Sequence, residues 1–399
     1  MPLSLPTLPV ESFMSSGIVA LLDLPVGTSL SIDGKVVTLK RDDFIGISGM
    51  PSNWFHLVTC KIQTSSSSLS YCDSHNNPSA AAAAAAPPHG FIMLVSESSN
   101  GAMYHGGTGT RSTGKEWIVA HRYDPRTEEV SATPIDAISA HNLQSSIRQQ
   151  QQQQQQGYGV EVAARIIPYT QFFVNDTERE EWQRATCFIS TELLLARNIF
   201  HGSKVVPGSY QGDDEPKGSA LSLSSHDIVN DMNDIDNNDG RPLRYPPIPV
   251  LGKKWLSSSQ HDDGGHSHWR TTGHAGTKRF LSTLSPGERT RLMAASVEDQ
   301  TLEAIRYVLE HYCPDRNWRS LLGDLQLAFV MFLNLHCFAS MEHWRDLIAM
   351  FCFIERIDEK DVDLYSNFAT ILQHQMQFMD QDLFEDMEFS SDNFFLPAI

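Results

Sequence analysis

Leu321-Leu-Gly-Asp-Leu-Gln-Leu-Ala-Phe-Val-Met-Phe-Leu333 is the stretch on which the fold turns. After Asp324 it is apolar nearly all round, and the segment from Trp318 to about Leu335 that contains it reads as one helix. A surface helix shows a single apolar stripe, whereas one apolar on every side sits at the centre of a bundle. The strongly apolar run Leu327 to Leu333 is far shorter than the roughly 18 residues that cross a bilayer. Other helices must therefore cover it, and no transmembrane helix is expected.

The flanking sequence provides them. Met341, Trp344, Leu347/Ile348 and Phe351 form one apolar face, and Leu364, Phe368, Ile371/Leu372 and Met376/Met379 form another, opened by Asp361. Upstream, Leu302, Ile305, Leu309 and Tyr312 make a stripe that stops at Pro314. Ser285-Pro-Gly-Glu288 offers a capping serine, a proline at the first helical position and a glutamate that completes a capping box. Short connections imply antiparallel neighbours, so 281–399 is predicted to be an all-α domain. Aromatics in these stripes, Phe329, Phe332, Trp344 and Phe351, read as core. The chain stops at Ile399, so an exposed apolar patch is expected around Phe368, Leu372, Met376 and Phe395.

Towards the N-terminus the composition changes twice. Residues 201–280 are rich in Ser, Asp, Asn, Gly and His and read as a linker, with the Pro-rich patch Arg241 to Val250 offering Tyr245 or Ile248 as docking points. Residues 17–200 read as a β-rich domain behind a flexible 1–16. Short apolar segments, Gly17 to Leu24, Leu30 to Leu39, Asn53 to Cys60, Gly90 to Val95 and Glu116 to Tyr123, are separated by turn residues. Asp33-Gly34 supplies the positive φ angles of a two-residue hairpin, so the domain is expected to be antiparallel. Low-complexity inserts, disordered over 61–89 and 141–157, interrupt it; the second holds the run Gln149 to Gln156.

The formal charge is −18, and residues 281–399 carry 8 Lys and Arg against 20 Asp and Glu. That is a poor footprint for nucleic acid and suits basic protein partners. The six scattered cysteines read as small buried hydrophobes in a reducing compartment. Met1 to Val10 has three prolines and neither Lys nor Arg, so no secretory signal is expected.

Catalytic and metal motifs fail on inspection. Gly109 to Lys115 fits G-x-x-x-x-G-K, but Glu116 follows where magnesium needs Ser or Thr, and Trp117 to His121 reads as a strand. His261, His266, His268 and His274 lie in a Gly-Ser loop without elements to fix tetrahedral geometry. If Gly240 took the glycine position of a calcium loop, Ile235 and Pro246 would fall on ligand positions. Neither a nucleophile elbow nor a zinc-protease pair is present, so neither enzyme activity, metal nor cofactor is expected.

Leu321 to Leu333, with Glu342-His-Trp344 downstream, resembles the signature L-G-[DE]-L-Q-x-A-F-V-x-F-L…E-x-W of the Aar-two splicing-factor family. Pro25-Val-Gly27-Thr28…Ile32-Asp33 is similar to that family's P-x-G-T-x-x-x-I-D turn, and Gly90-Phe91 and Trp182 to Ser190 echo it more weakly. The good match covers about 17–60 and 281–395. The resemblance implies a multidomain α+β chain: an antiparallel β-sandwich-like N-terminal domain and a C-terminal all-α domain of VHS-like topology. Pro25, Gly27, Thr28, Asp33, Gly323, Gln326, Phe329 and Trp344 would be its signature residues, mostly structural.

It further implies a non-enzymatic assembly chaperone of the U5 small nuclear ribonucleoprotein, cytoplasmic and nuclear. Such a factor binds the RNase H-like and Jab/MPN-like domains of the large spliceosomal scaffold protein and neither nucleic acid nor membrane. The alternative is a VHS-type trafficking adaptor that reads sorting peptides. The resemblance departs at the inserts, which match nothing in the family, and at Ile399, where members usually continue with further helices.

Overall fold

The computed structural model describes residues 16–51, 54–62, 89–94, 117–131, 135–155, 165–199, 202, 204–205, 243, 245–246, 248, 284–294, 297–313, 317–352 and 361–379. The chain divides into two units. One contains the β-rich part up to Arg179 with Phe200–Lys204, and the other contains Glu180–Ile199 and the chain from Arg241 onward.

In the first unit, β1 (Ser16–Leu22), β2 (Ser29–Ile32), β3 (Lys35–Thr38), β4 (Gly46–Pro51), β5 (Phe55–Lys61), β6 (His89–Leu94), β7 (Trp117–Asp124), β8 (Glu129–Val130), β9 (Ile166–Pro168) and β10 (Lys204–Val205) form two five-stranded sheets. Their orders are β8-β7-β1-β4-β9 and β10-β6-β5-β2-β3. Val19, Leu21, Ile47 and Val119 of the first sheet share one core with Leu30, Ile32, Val58 and Cys60 of the second.

The expected antiparallel order holds for β2, β3, β5 and β6, whereas the first sheet is mixed: β1 pairs antiparallel with β4 and β7 with β8, but β1 runs parallel to β7 and β4 parallel to β9. Parallel pairs occur where both faces of a sheet are covered. Both faces of β1 are: Ile18 on the outer side lies under helix α1 (Ala137–Gln155), packed with Ile118, Ala140 and Ile147. This helix corrects the disordered insert expected over 141–157. Asp136 accepts hydrogen bonds from the Ile138 and Ser139 amides at its start. Ala140, Leu143 and Ile147 lie on its sheet side, and glutamine is itself a good helix former. The insert expected over 61–89 lies outside the described residues, except for Lys61, Ile62 and His89 at its ends.

Asp33 and Gly34 take φ of 52° and 79° and join β2 to β3 as the sequence predicts. Asp33 does more than turn the chain. Its buried carboxylate accepts from the Leu57 amide at 3.0 Å, the Tyr169 hydroxyl at 2.7 Å and His56 Nδ1 at 2.7 Å. His56 Nε2 lies 3.0 Å from the Pro51 carbonyl. Burial first, and then the Asp33 charge, push the Tyr169 phenol far above its usual range, so its proton stays to be donated. One carboxylate thus ties β2 and β5 to the 3-10 turn Tyr169–Phe172 after β9.

In the second unit the helices are the C-terminal part of α2 (Asp176–Thr186), inside which the boundary falls, then α3 (Thr191–Ala196), α4 (Pro286–Ala294), α5 (Val297–Tyr312), α6 (Trp318–Leu335), α7 (Phe338–Cys352) and α8 (Val362–Gln377). Helix α6 is the central one and packs on α3, α5, α7 and α8. The capping box at α4 forms: Glu288 accepts from the Ser285 amide at 2.8 Å, and Ser285 Oγ accepts from the Glu288 amide. None of the helices among the described residues is long and apolar enough to cross a membrane.

Residues 180–199, inside the domain expected over 17–200, group with the helices in this structure, because α3 packs on α6. Near the start of the linker expected over 201–280, Lys204–Val205 pairs as an edge strand, which was not expected, while Tyr245 and Ile248 dock on the helical core as the sequence predicts. Of the exposed patch expected around Phe368, Leu372, Met376 and Phe395, Phe368 instead faces the core and stacks on Phe351 at 4.4 Å. Leu372 is partly buried, Met376 and Phe378 remain exposed, and Phe395 lies outside the described residues.

Asp33→Ala leaves three buried donors without an acceptor and is expected to destabilise the first unit by about 3–5 kcal/mol in urea unfolding. A loss below about 1 kcal/mol would mean that water replaces the carboxylate.

Candidate functional site

The residues that the sequence singles out converge on α6 or on the β2 hairpin. At the hairpin, Pro25 O accepts from the amide and the hydroxyl of Thr28, at 3.2 and 2.8 Å, and Gly27 between them takes φ 87°. That geometry explains Pro25-x-Gly27-Thr28: glycine tolerates the positive φ and threonine closes the turn twice.

On α6 the residue types follow from close packing. A Cβ on Gly323 would lie 2.4 Å from the Phe188 carbonyl oxygen and 2.7 Å from Leu193 Cδ2, so only glycine lets the loop before α3 sit on this helix. One turn along the same side, Gln326 Oε1 accepts from the Phe188 amide at 2.8 Å and Gln326 Nε2 donates to the Arg184 carbonyl at 3.0 Å. A buried amide with both ends matched fixes the register of a crossing that apolar contact alone would leave loose. Between them Asp324 and Arg197 form a buried two-pronged ion pair, Nε to Oδ1 at 2.8 Å and Nη2 to Oδ2, while Nη2 also reaches the Tyr312 carbonyl at 3.3 Å.

Trp344 is fully buried on α7, tilted against Phe329 with centroids 5.5 Å apart. Its indole N–H donates to Gln375 Oε1 at 2.8 Å, and Gln375 Nε2 reaches the Leu325 carbonyl at 3.4 Å. Gln375 therefore sits where the α8 stripe would otherwise carry an apolar residue. It, Asp324 and Arg197 were not singled out in the sequence. The legible signal was an aspartate inside an otherwise apolar helix, which demands a cation from elsewhere in the chain.

A second polar group lies on α7. Burial, and next to it the Glu342 charge working against Arg345, push the Asp346 carboxyl up to about 7, and burial raises Glu342 as well. Glu342 Oε1 is buried without a hydrogen-bond partner. Among the described residues no group of three or more His, Cys, Asp or Glu could hold a metal ion. The Gly109 to Lys115 loop, the four histidines from His261 to His274 and the Asp231 to Gly240 run lie outside the described residues. The side chains of Thr28, Asp33, Gln326, Phe329 and Trp344 are thus spent on internal contacts.

Gln326→Leu keeps the volume but strands the Phe188 amide and the Arg184 carbonyl, and should cost the helical unit about 2–4 kcal/mol in chemical denaturation. For Asp346 the folded pKa is raised, so the folded state holds the proton longer than the unfolded chain. Stability should then fall as pH rises from about 4 to about 7. Asp346→Asn should flatten that decline and raise the melting temperature at pH 7.5; an unchanged profile would place the ionised carboxylate in solvent.

Models of the AAR2 N-terminal domain and of the AAR2 C-terminal repeat region match residues 15–198 and 278–399. The chain is 40% identical over 119 residues to Protein AAR2 homolog of Oryctolagus cuniculus, a stretch that covers 30% of this chain and 33% of that protein. It is 37% identical over 119 residues to the homolog of Macaca fascicularis, covering 30% and 29%. With the homolog of Caenorhabditis elegans it shares 31% over 78 residues, 20% and 22% of the two chains. The matched stretches span a third or less of these curated relatives. Because the β-rich and the helical parts each match the corresponding part of the same family, the chain belongs to the AAR2 family.

Proposed function

We propose that this chain is a non-enzymatic assembly factor for the U5 small nuclear ribonucleoprotein in pre-mRNA splicing. In this reading it binds the large spliceosomal scaffold protein through that protein's RNase H-like and Jab/MPN-like domains, and works in cytoplasm and nucleus. Membership of the AAR2 family carries the proposal. The signature residues support it indirectly, because they build a scaffold and leave the outer surface for protein contact. The net charge of −18 favours a basic protein surface over nucleic acid. A VHS-like topology for the helical unit belongs to the same reading. A trafficking adaptor would share the helices but has no reason to carry the Pro25-Gly27-Thr28 turn.

Affinity purification of the tagged chain from cells, with identification of co-purifying proteins, should recover the U5 scaffold protein. Binding to that protein's recombinant RNase H-like domain should weaken as salt rises from 50 to about 300 mM, as expected for complementary charged surfaces. Recovery of vesicle-coat proteins without the scaffold would sink the proposal.

A further inference from the structure

Tyr245 and Ile248 lie against the helical unit although they belong to neither helix nor strand, and Leu243 and Pro246 beside them are buried. Ile248 is 2% exposed and joins the core cluster that contains Leu321, Trp344 and Phe368. The Tyr245 ring stacks on His343 of α7, centroids 4.2 Å apart and planes 17° from parallel, and its hydroxyl lies 3.0 Å from Ser340 Oγ. Ser340 and His343 are buried, so they form a wall with both an apolar face and a polar anchor. Burial holds the His343 imidazole well below its usual range and the Tyr245 phenol well above, which makes the stack one of neutral rings. His343 Nε2 is buried without a hydrogen-bond partner, so the segment seated here leaves a polar atom of the wall unmatched.

The sequence around these anchors is that of a ligand more than of a core element. Arg241-Pro-Leu-Arg-Tyr-Pro-Pro-Ile-Pro-Val250 carries four prolines, at 242, 246, 247 and 249. Proline fixes φ near −65°, which lowers the entropy lost when such a segment is bound. Proline-rich peptides are read by grooves that contact alternate side chains against aromatic rings. On both sides the sequence is rich in Ser, Asp, Asn, Gly and His.

We infer that the α7 wall formed by Ser340 and His343 is a binding groove for extended Tyr-Pro peptides, occupied in this chain by its own 243–248 segment as an exchangeable ligand. A tethered ligand acts at an effective concentration in the millimolar range. A Tyr-Pro segment of a partner would therefore enter only when presented at comparable local concentration, as in an assembly already docked elsewhere.

The test uses the full chain with protease sites placed in 206–240 and 252–280, cut on both sides and mixed with excess fluorescent 241–250 peptide. The cut chain should take up the peptide at least tenfold more than the uncut chain, with helical circular dichroism unchanged. A Tyr245→Ala version of the peptide should bind at least tenfold more weakly. Uncut Tyr245→Phe chain, which lacks only the bond to Ser340, should take up several-fold more wild-type peptide than uncut wild type. Unfolding of the helices on release, failure of the cut segment to exchange, or equal uptake by wild type and Tyr245→Phe would each make the segment a fixed part of the core and overturn the inference.

Discussion

The helical unit depends on meeting the hydrogen-bond demand of α6. A helix buried on every side has no solvent to satisfy a polar side chain, yet α6 carries Ser320, Asp324 and Gln326 at 4% exposure or less. An unpaired buried carboxylate would cost several kcal/mol, so the position is tolerable only with a cation in register. Arg197 provides it, and to arrive there the chain must bring residues 184–197 across α6 at one angle and one height. Gly323 removes the Cβ that would keep that segment away, and Gln326 closes on its backbone at both ends. Three neighbouring residues therefore specify one crossing, and an apolar helix that could pack in several registers is held in one. Each of the three would be a poor choice without the other two.

A comparable constraint acts in the β-rich unit, where the buried atom is an acceptor. The Asp33 carboxylate collects donors from β5, from His56 and from the turn after β9. The positive φ at Asp33 aims the side chain inward from a hairpin turn, a place where most aspartates face water. Turn chemistry and core chemistry meet in one residue, which accounts for a motif that runs from Pro25 to Asp33 and not merely through a turn.

Much of this was legible in the sequence, for identifiable reasons. The α4 capping box, the α6 run and the stripes of α7 and α8 are local signals, set by residues three or four apart, and the structure places them as read except at Met376, which is exposed while Gln375 is buried. The Asp33-Gly34 hairpin is local too. What stayed illegible is non-local. The parallel pairing of β1 with β7 joins residues about 100 positions apart, and its precondition, the covering helix α1, was hidden by a glutamine run that composition alone marks as disordered. The periodicity of Ala140, Leu143 and Ile147 was the better guide. Residues 180–199 lie inside the matched N-terminal domain yet contact the helices, a pairing hidden for a related reason: their partners, Asp324 and Gln326, lie well over 100 positions downstream. Phe368 was expected in an exposed patch because the stripe through Leu364, Phe368 and Ile371 was read correctly but given no partner, whereas Phe351 and Trp344 already cover it.

That the signature residues are consumed internally bears on how the family's function must be carried. A residue that satisfies Phe188 or Gln375 cannot also reach a partner, so substitutions at Gly323, Gln326 or Trp344 act on binding only through the loss of folded molecules. Under the proposed function, partner choice would reside in side chains that the fold does not need, which are free to vary as long as surface charge and shape suit the partner. Charge steers encounter and rejects wrong partners more than it adds affinity, and the excess of acidic residues in 281–399 suits that division of labour. A fold pinned by buried polar contacts can carry such a surface without adjusting its core each time the surface changes. The specificity of the core motif and the freedom of the surface are thus two consequences of the same arrangement: polar residues placed where only one packing satisfies them.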